Sequence, residues 1–202
     1  MEFVTFRGLR LLTAPGLVMT PRPASEKIVA AAVAFIGDRD ARIIDVGTGS
    51  GAIAIAIATA LPQVDVFATD VSAAAVVLAR LNVGRLGLSE RVTVCRGDLL
   101  EPIPGLVDLI VANLPYLPIA DIARRRELAN EPEEAVFASG DGLGPYRRLI
   151  VASRKRLAPE GALIIQLYGD VLMARREGLD RLGATIAGRT PLRPTAASRI
   201  AA

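Results

Sequence analysis

Short apolar runs rich in β-branched residues alternate along the chain with longer stretches of helical periodicity. A compact apolar run of four to eight residues is typical of a buried strand, and apolar positions three and four apart are typical of a helix. Strands are predicted at residues 41–46, 64–69, 91–96, 106–112 and 162–167, with two further short strands at 184–187 and 198–202. Helices are predicted at 26–36, 52–61, 72–86, 145–157 and 170–182. Ser25 is the expected N-cap of the first of these helices, and Ser72 is the expected N-cap of the third. This alternation favours an α/β fold with a doubly wound, mostly parallel sheet of about seven strands and helices on both faces.

The chain is expected to form a single domain, because its 202 residues can bury one sizeable core. Residues 1–40 are predicted to be a lead-in hairpin, within 3–20, and a helix, both packed on the core. Residues 41–202 are predicted to be the main, ligand-binding part. The stretch at 117–144 carries prolines, glycines and charges and is expected to be irregular.

Composition excludes several classes of function. No apolar run reaches the length that crosses a bilayer, and the first residues lack the basic and then apolar pattern of a signal peptide, so a cytoplasmic location is expected. The chain has no histidine and a single cysteine, Cys95. It therefore has no internal disulfide, it lacks the usual ligands of a zinc site, and it is no hydrolase that uses a histidine base.

The net charge is +3, and basic residues cluster at 124–126, 147–148 and 154–156. Such clusters can contact phosphates, but basic tracts are more often a solvated helix face with acids nearby, and the second interpretation is favoured.

Polar or turn residues follow four successive predicted strands. The glycine loop 47–51 follows the first strand, Asp70 ends the second, Asp98 follows the third, and Asn113–Tyr116 follow the fourth. In parallel sheets ligands bind beyond the carboxyl ends of the strands, so these residues are expected to meet. The glycines alternate as G-x-G-x-G, which differs from the G-x-G-x-x-G dinucleotide pattern, and the chain has no G-x-x-x-x-G-K-[ST] phosphate loop.

The segment D-V-G-T-G-S-G at 45–51 resembles motif I of the class I S-adenosylmethionine (SAM) dependent methyltransferases, whose fold is Rossmann-like. The resemblance implies SAM as the cofactor, S-adenosylhomocysteine as its product, and the catalytic, SAM-binding role for residues 41–202. It implies that Asp70 accepts hydrogen bonds from the ribose hydroxyls of SAM, that Asp98 accepts one from the adenine amine, and that Asp45 helps to hold the methionine ammonium. The full set of implied cofactor-binding residues is Asp45, Gly47, Thr48, Gly49, Ser50, Gly51, Asp70, Val71, Asp98, Leu99 and Asn113.

The tetrapeptide Asn113-Leu114-Pro115-Tyr116 resembles the [DNS]-P-P-[YFW] motif of methyltransferases that act on planar NH2 groups. An amide nitrogen is a poor nucleophile because its lone pair is delocalised. Two acceptors, the Asn113 side-chain oxygen and the Leu114 carbonyl, would orient the NH2 group and favour its transition state, and Tyr116 would pack on the planar acceptor. Leu114 replaces the first proline, so some rigidity is lost and an N–H group needs a partner. A similar tetrapeptide occurs in ribosomal RNA adenine dimethyltransferases, so these four candidate catalytic residues leave the substrate open.

Other segments resemble the HemK-type family, the glutamine N5-methyltransferases of release factors and ribosomal proteins. They are P-R-P-A-S-E at 21–26, E-P-E-E-A-V at 131–136, G-D-G-L at 140–143 and Y-R-R at 146–148. Gln166 stands where the family usually has glutamate. The family's N-terminal helical domain is not present ahead of Pro21, so a partner or a different substrate is expected.

The combined interpretation is a SAM-dependent N-methyltransferase that acts on a glutamine side-chain amide of a translation protein, such as a release factor or ribosomal protein. One alternative is an adenine N6-methyltransferase on RNA or DNA, which the arginine clusters and Asn-Leu-Pro-Tyr favour and the 131–143 block disfavours. The other is a SAM-binding module that needs a partner chain. No metal and no membrane contact are expected.

Overall fold

The computed structural model describes residues 1–188 apart from 126, 127 and 129. In chain order the elements are β1 (Glu2–Phe6), β2 (Leu9–Thr13), α1 (Glu26–Ile36), β3 (Ala41–Val46), α2 (Ala52–Ala60), β4 (Val64–Asp70), α3 (Ala73–Arg85), β5 (Val92–Arg96), β6 (Val107–Ala112), β7 (Leu117–Pro118), α4 (Glu133–Val136), β8 (Phe137–Ala138), α5 (Gly144–Arg156), β9 (Leu157–Leu167), β10 (Asp170–Arg175) and α6 (Leu179–Ala187). Short 3-10 helices lie at Pro23–Ser25, Ile119–Arg124 and Arg176–Gly178.

The central sheet has the order β10-β9-β6-β3-β4-β5, and all its neighbouring pairs are parallel except β9 with β10. One core lies between the sheet and α1, α2 and α3, and it also takes in Phe6 and Leu11 of the β1–β2 hairpin. A second core lies on the opposite face, beneath α5 and α6. The predicted α/β fold, with a mainly parallel sheet and helices on both faces, is confirmed. Strand order reverses between β3 and β6, which is where a ligand site is expected.

The end of the sheet differs from the prediction. Residues 170–182 were expected to be helical and 184–187 to be a strand. The helix prediction is wrong for 170–175 and right for 179–182, and the strand prediction is wrong because the helix continues through Ala187. Asp170–Arg175 form β10, antiparallel to β9, and Leu179–Ala187 form α6. The cause is the two-residue turn Tyr168-Gly169, in which both φ angles are positive (53° and 84°), as a tight hairpin requires. The turn sends the chain back along β9 as a sheet edge.

Strand β9 also begins earlier than predicted, at Leu157. Residues 159–161, predicted as a turn, fall where the register between β9 and β6 shifts, and regular pairing resumes at Ala162. The predicted strand at 198–202 lies outside the described residues, within which the sheet has six strands. Among those residues no helix has the length and hydrophobicity that a bilayer crossing requires.

Candidate active site

A cavity of about 280 Å³ lies at the carboxyl ends of β3, β4, β5 and β6. Its volume is near the lower end of the roughly 300–1,000 Å³ typical of small-molecule sites. The structure brings nine of the predicted residues to its wall: Gly47, Gly49, Asp70, Val71, Asp98, Leu99, Asn113, Leu114 and Pro115. Thr48 and Ser50 line a smaller adjoining recess. Asp45, Gly51 and Tyr116 line neither space.

The glycine loop approaches the motif after β6 very closely. Gly47 has a φ of +71°, and a Cβ placed on it would lie 2.7 Å from Cδ2 of Leu114. Only glycine fits such an approach with that backbone conformation. Gly47 and Leu114 therefore form a continuous wall. Gly51 lies further back, at the start of α2, where a Cβ placed on it would lie 3.3 Å from Cβ of Ala79 in α3.

Asp45 holds the glycine loop from behind. Its side chain is fully buried, and its Oδ2 accepts hydrogen bonds from the Thr48 hydroxyl at 2.7 Å and from the Ala54 N–H, in the first turn of α2, at 3.1 Å. Its Oδ1 has no hydrogen-bond partner among the described residues. Burial raises the pKa of Asp45 from 3.8 to about 6, although both hydrogen bonds oppose the shift. The carboxylate therefore orients the loop, and its second oxygen is left with capacity for a donor.

Asp70, at the end of β4, projects into the cavity. Its two oxygens accept hydrogen bonds from the backbone N–H groups of Gly49 and Ser72, each at 2.9 Å. Burial raises the pKa of Asp70 against the effect of these bonds. Each carboxylate oxygen has two lone pairs, so both retain one acceptor position for a ligand.

Asp98, after β5, is already paired. The guanidinium of Arg148 in α5 donates to both of its carboxylate oxygens, at 2.8 and 2.9 Å, and both side chains line the cavity. A bidentate pair fixes both groups geometrically. Arg148 was not predicted as a site residue; it lies within the Y-R-R segment, but no local pattern connects that segment to Asp98.

Asn113, after β6, is oriented by Ser25. Its Nδ2 donates to the Ser25 hydroxyl at 3.0 Å, so its side-chain oxygen is free of that contact. Ser25 was predicted to be the N-cap of α1. It occupies that position but makes no capping hydrogen bond, so the predicted capping role is wrong. The hydroxyl contacts Asn113 instead, 88 residues away.

The N–H group introduced by Leu114 has a partner. It donates to the hydroxyl of Tyr146, a fully buried residue of α5, at 3.0 Å. The same hydroxyl donates to the backbone carbonyl of Gln166 and lies 3.3 Å from the Leu114 carbonyl. Burial raises the pKa of Tyr146, which keeps the hydroxyl protonated. The Gln166 side chain is buried, and its Oε1 has no hydrogen-bond partner among the described residues.

Tyr116 lies beside the cavity rather than in its wall. Its ring meets the ring of Tyr168 edge to face, with centroids 5.1 Å apart. Both rings pack on a small cluster that includes Leu117 and Phe137, so the orientation of the Tyr116 ring is set by Tyr168 and by this cluster.

Two distant segments roof the cavity. One is Leu17–Met19, before α1, and the other is the stretch from Pro132 to Ala135. Glu131 joins them: it accepts a hydrogen bond from the backbone N–H of Thr20 at 3.0 Å and pairs with Arg22 at 3.3 Å. The predicted irregular stretch 117–144 thus contains short elements that close the site.

Asn82 of α3 connects the β1–β2 hairpin to the glycine loop. Its side chain is 1% exposed, accepts from the Leu12 N–H at 2.8 Å, and donates to the carbonyls of Leu12 at 3.0 Å and Ser50 at 2.9 Å. Asn82 was not among the predicted site residues. A signal existed, because Asn82 lies on the buried face of α3, between Ala79 and Val83.

Several basic residues of the predicted clusters pair with acids. Arg147 contacts Asp141, and Arg154 contacts Asp180, in addition to the Arg148–Asp98 pair. Arg126 lies outside the described residues. Because these basic side chains are paired with acids, the structure favours the interpretation of the clusters as solvated surface over their interpretation as phosphate-binding sites.

The parallel sheet, the glycine loop after β3 and the acids after β4 and β5 define the class I methyltransferase fold. The structure of the ribosomal protein L11 methylase of Lactobacillus delbrueckii subsp. bulgaricus is similar in fold, with a TM-score of 0.57 and 22% identity over 86% of this chain and 71% of that one. Residues 27–130 match the methyltransferase small domain family, and the chain belongs to that family.

Two relatives carry the name release factor glutamine methyltransferase. The protein from Gloeobacter violaceus is 42% identical over 166 residues, which cover 80% of this chain and 58% of the relative. The protein from Deinococcus radiodurans is 39% identical over 166 residues, covering 81% and 59%. The predicted resemblance to glutamine methyltransferases is confirmed, and the chain spans less than two-thirds of the length of these relatives.

Proposed function

We propose that this chain transfers a methyl group from SAM to the side-chain amide nitrogen of a glutamine in a peptide-chain release factor. Membership of the methyltransferase small domain family supports the reaction class, and the names of the relatives support the acceptor.

The residues at the cavity fit SAM. Asp70 retains an acceptor position on each oxygen for the two ribose hydroxyls, while the backbone N–H groups of Gly49 and Ser72 keep it in place. Asp45 is fully buried and lines neither space, so its part is to hold the glycine loop through the Thr48 hydroxyl and the Ala54 N–H. Bound SAM would supply an electrophilic methyl group on a sulfonium. Because Asp98 is held by Arg148, its part in binding the adenine amine requires the pair to share its oxygens with the ligand.

The observation that carries the acceptor assignment is the position of Asn113 and Leu114 in the same cavity wall as the glycine loop. Ser25 holds the Asn113 amide by its nitrogen, which leaves the side-chain oxygen to accept one hydrogen of an incoming NH2 group. The Leu114 carbonyl accepts the other. These two bonds set the direction of the nitrogen lone pair and favour the pyramidal nitrogen of the transition state. Alignment of this kind supplies several kcal/mol of acceleration, on the order of 7–11 kcal/mol at most.

The reaction is balanced without a metal or a redox partner. The sulfur–methyl bond breaks with its electron pair passing to sulfur, the nitrogen–methyl bond forms, and the amide nitrogen loses one proton to solvent.

The test combines calorimetry with methyl transfer. Asp70→Ala should weaken SAM binding strongly, whereas Asp65→Ala, an exposed acid on the same strand, is the matched control and should leave it unchanged. Asn113→Ala should preserve SAM binding and abolish transfer. Unaltered SAM binding in Asp70→Ala would refute the cofactor site, and full transfer by Asn113→Ala would refute the acceptor site.

The acceptor is identified by incubating the chain with labelled SAM, a release factor and total RNA, and by locating the label. Label on a glutamine nitrogen is the expected result. Label on adenine would instead support a nucleic acid methyltransferase, and the absence of label with intact SAM binding would support a module that requires a partner chain.

A further inference from the structure

Tyr146 contacts the motif after β6 from within the core beneath α5. It lies in α5, its side chain is fully buried, and it has no place in the wall of the cavity. Its hydroxyl accepts the Leu114 N–H at 3.0 Å and donates to the Gln166 carbonyl of β9. A hydroxyl has one proton, so this donation leaves the Leu114 carbonyl, 3.3 Å away, with its lone pairs available to another donor.

This arrangement matters because residue 114 is not proline. A proline would fix the backbone at this position and would carry no N–H group. Leu114 has an N–H group that is buried, and a buried N–H without a partner is costly. The peptide between Asn113 and Leu114 would also lack the restraint that a ring provides. The Tyr146 hydroxyl accepts the Leu114 N–H and also restrains this peptide, because the hydroxyl is itself anchored by its hydrogen bond to the Gln166 carbonyl of β9.

We infer that Tyr146 is a positioning residue. Its hydroxyl lies 3.0 Å from the Leu114 nitrogen and 3.3 Å from the Leu114 oxygen, so it holds the two peptide groups on either side of Leu114 in the orientation that presents the Leu114 carbonyl to the acceptor amide. The inference rests on the proposed function. It assigns to α5 and β9 a direct part in aligning the acceptor, whereas SAM is held by the loops after β3, β4 and β5. Loss of the hydroxyl should therefore affect turnover and leave SAM binding intact.

The first test is Tyr146→Phe, which removes one oxygen and retains the ring in the core. We expect kcat to fall about ten- to a hundredfold, as for other losses of alignment, with the KM and Kd for SAM within about twofold of the original. Tyr168→Phe is the matched control for stability. It makes the same chemical change at a hydroxyl that has no hydrogen-bond partner in the described part of the chain. Tyr146→Phe should lower the melting temperature clearly more than Tyr168→Phe does.

The second test removes the other partner of the bond. Replacing Leu114 by its α-hydroxy acid converts the N–H into an ester oxygen and leaves the side chain unchanged. In that background Tyr146→Phe should have no further effect on kcat. Amide exchange measured by NMR completes the cycle: the Leu114 N–H should be protected in the original chain and exchange much faster in Tyr146→Phe.

Full turnover by Tyr146→Phe would overturn the inference. An equally large effect of Tyr146→Phe in the ester background would also overturn it, because the hydroxyl would then act elsewhere. Failure of the proposed function would look different. The unaltered chain would then transfer no methyl group to glutamine, while the exchange of the Leu114 amide and the melting temperatures would still decide whether Tyr146 holds that peptide.

Discussion

Asn82→Ala is expected to destabilise the whole chain, although the residue lies outside the cavity. The substitution removes three hydrogen bonds, to the N–H and carbonyl of Leu12 and to the carbonyl of Ser50, at a site that is 1% exposed. At roughly 1 kcal/mol for each buried hydrogen bond, the free energy of unfolding should fall by about 3 kcal/mol. For a chain of this size each kcal/mol lowers the melting temperature by about 2–4 °C, so a decrease of roughly 6–12 °C follows.

The assay is urea denaturation followed by circular dichroism, with Gln63→Ala as the control. Gln63 donates a single exposed hydrogen bond to the Gly37 carbonyl, so its loss should cost about 0.5 kcal/mol or less. SAM binding should also weaken in Asn82→Ala, because the Ser50 carbonyl in the glycine loop loses its donor. The reasoning is refuted if Asn82→Ala costs no more than Gln63→Ala, because the buried amide would then contribute nothing beyond a surface contact.

Three further changes test the site. Asp45→Asn should alter the pH dependence of stability: the pKa of Asp45 is about 6 in the folded chain and 3.8 ordinarily, so its contribution is fully present below pH 3.8 and is lost as the pH rises to about 6. At about 1.4 kcal/mol per pKa unit the whole loss is about 3 kcal/mol. About 2 kcal/mol of it falls between pH 4 and pH 7, so the free energies of unfolding at these two pH values should differ by about 2 kcal/mol more in the original chain than in the variant; equal differences would contradict the burial argument. Gly47→Ala places a methyl group 2.7 Å from Leu114 Cδ2 at a positive φ, so SAM binding measured by calorimetry should weaken at least tenfold, about 1.4 kcal/mol; unchanged affinity would mean that the loop can move aside. Ser25→Ala leaves the Asn113 amide free to rotate, so kcat should fall about tenfold while the Kd for SAM is retained, and an unaffected kcat would show that Asn113 needs no support.

The central sheet could be predicted because its signals are local. The apolar runs at β3, β4 and β6 are short, rich in β-branched residues and bounded by turn residues, and one short loop after each of β3 and β4 leads into a helix. Parallel topology then places the residues after each strand at one edge. That the nine predicted residues share one cavity follows from these two facts; the roles assigned to them stay predictions.

The errors have equally physical causes. Asp170–Arg175 has no clear period of two, because it is a half-exposed edge strand, and Tyr168 at a positive φ is an uncommon first residue for a tight turn. The contacts of Ser25 with Asn113 and of Tyr146 with Leu114 join residues 88 and 32 positions apart. Hydrogen bonds over such distances leave no periodic pattern in a single sequence, so only the fold reveals them.

The bond between Glu131 and the Thr20–Arg22 segment has a consequence for how the cavity exchanges its contents. The floor of the cavity is made by central strands, whose separation would require unfolding of the sheet. The roof is made by two segments that are joined through the Glu131 carboxylate, and Met19 of the first segment also packs against the cluster that includes Val136 and Phe137, which follow the second. Local opening free energies are smallest where few buried contacts must be broken. Parting of the roof breaks fewer buried contacts than separation of the central strands does, so we expect the roof to open more often than the sheet and a spent ligand to leave on that side of the cavity.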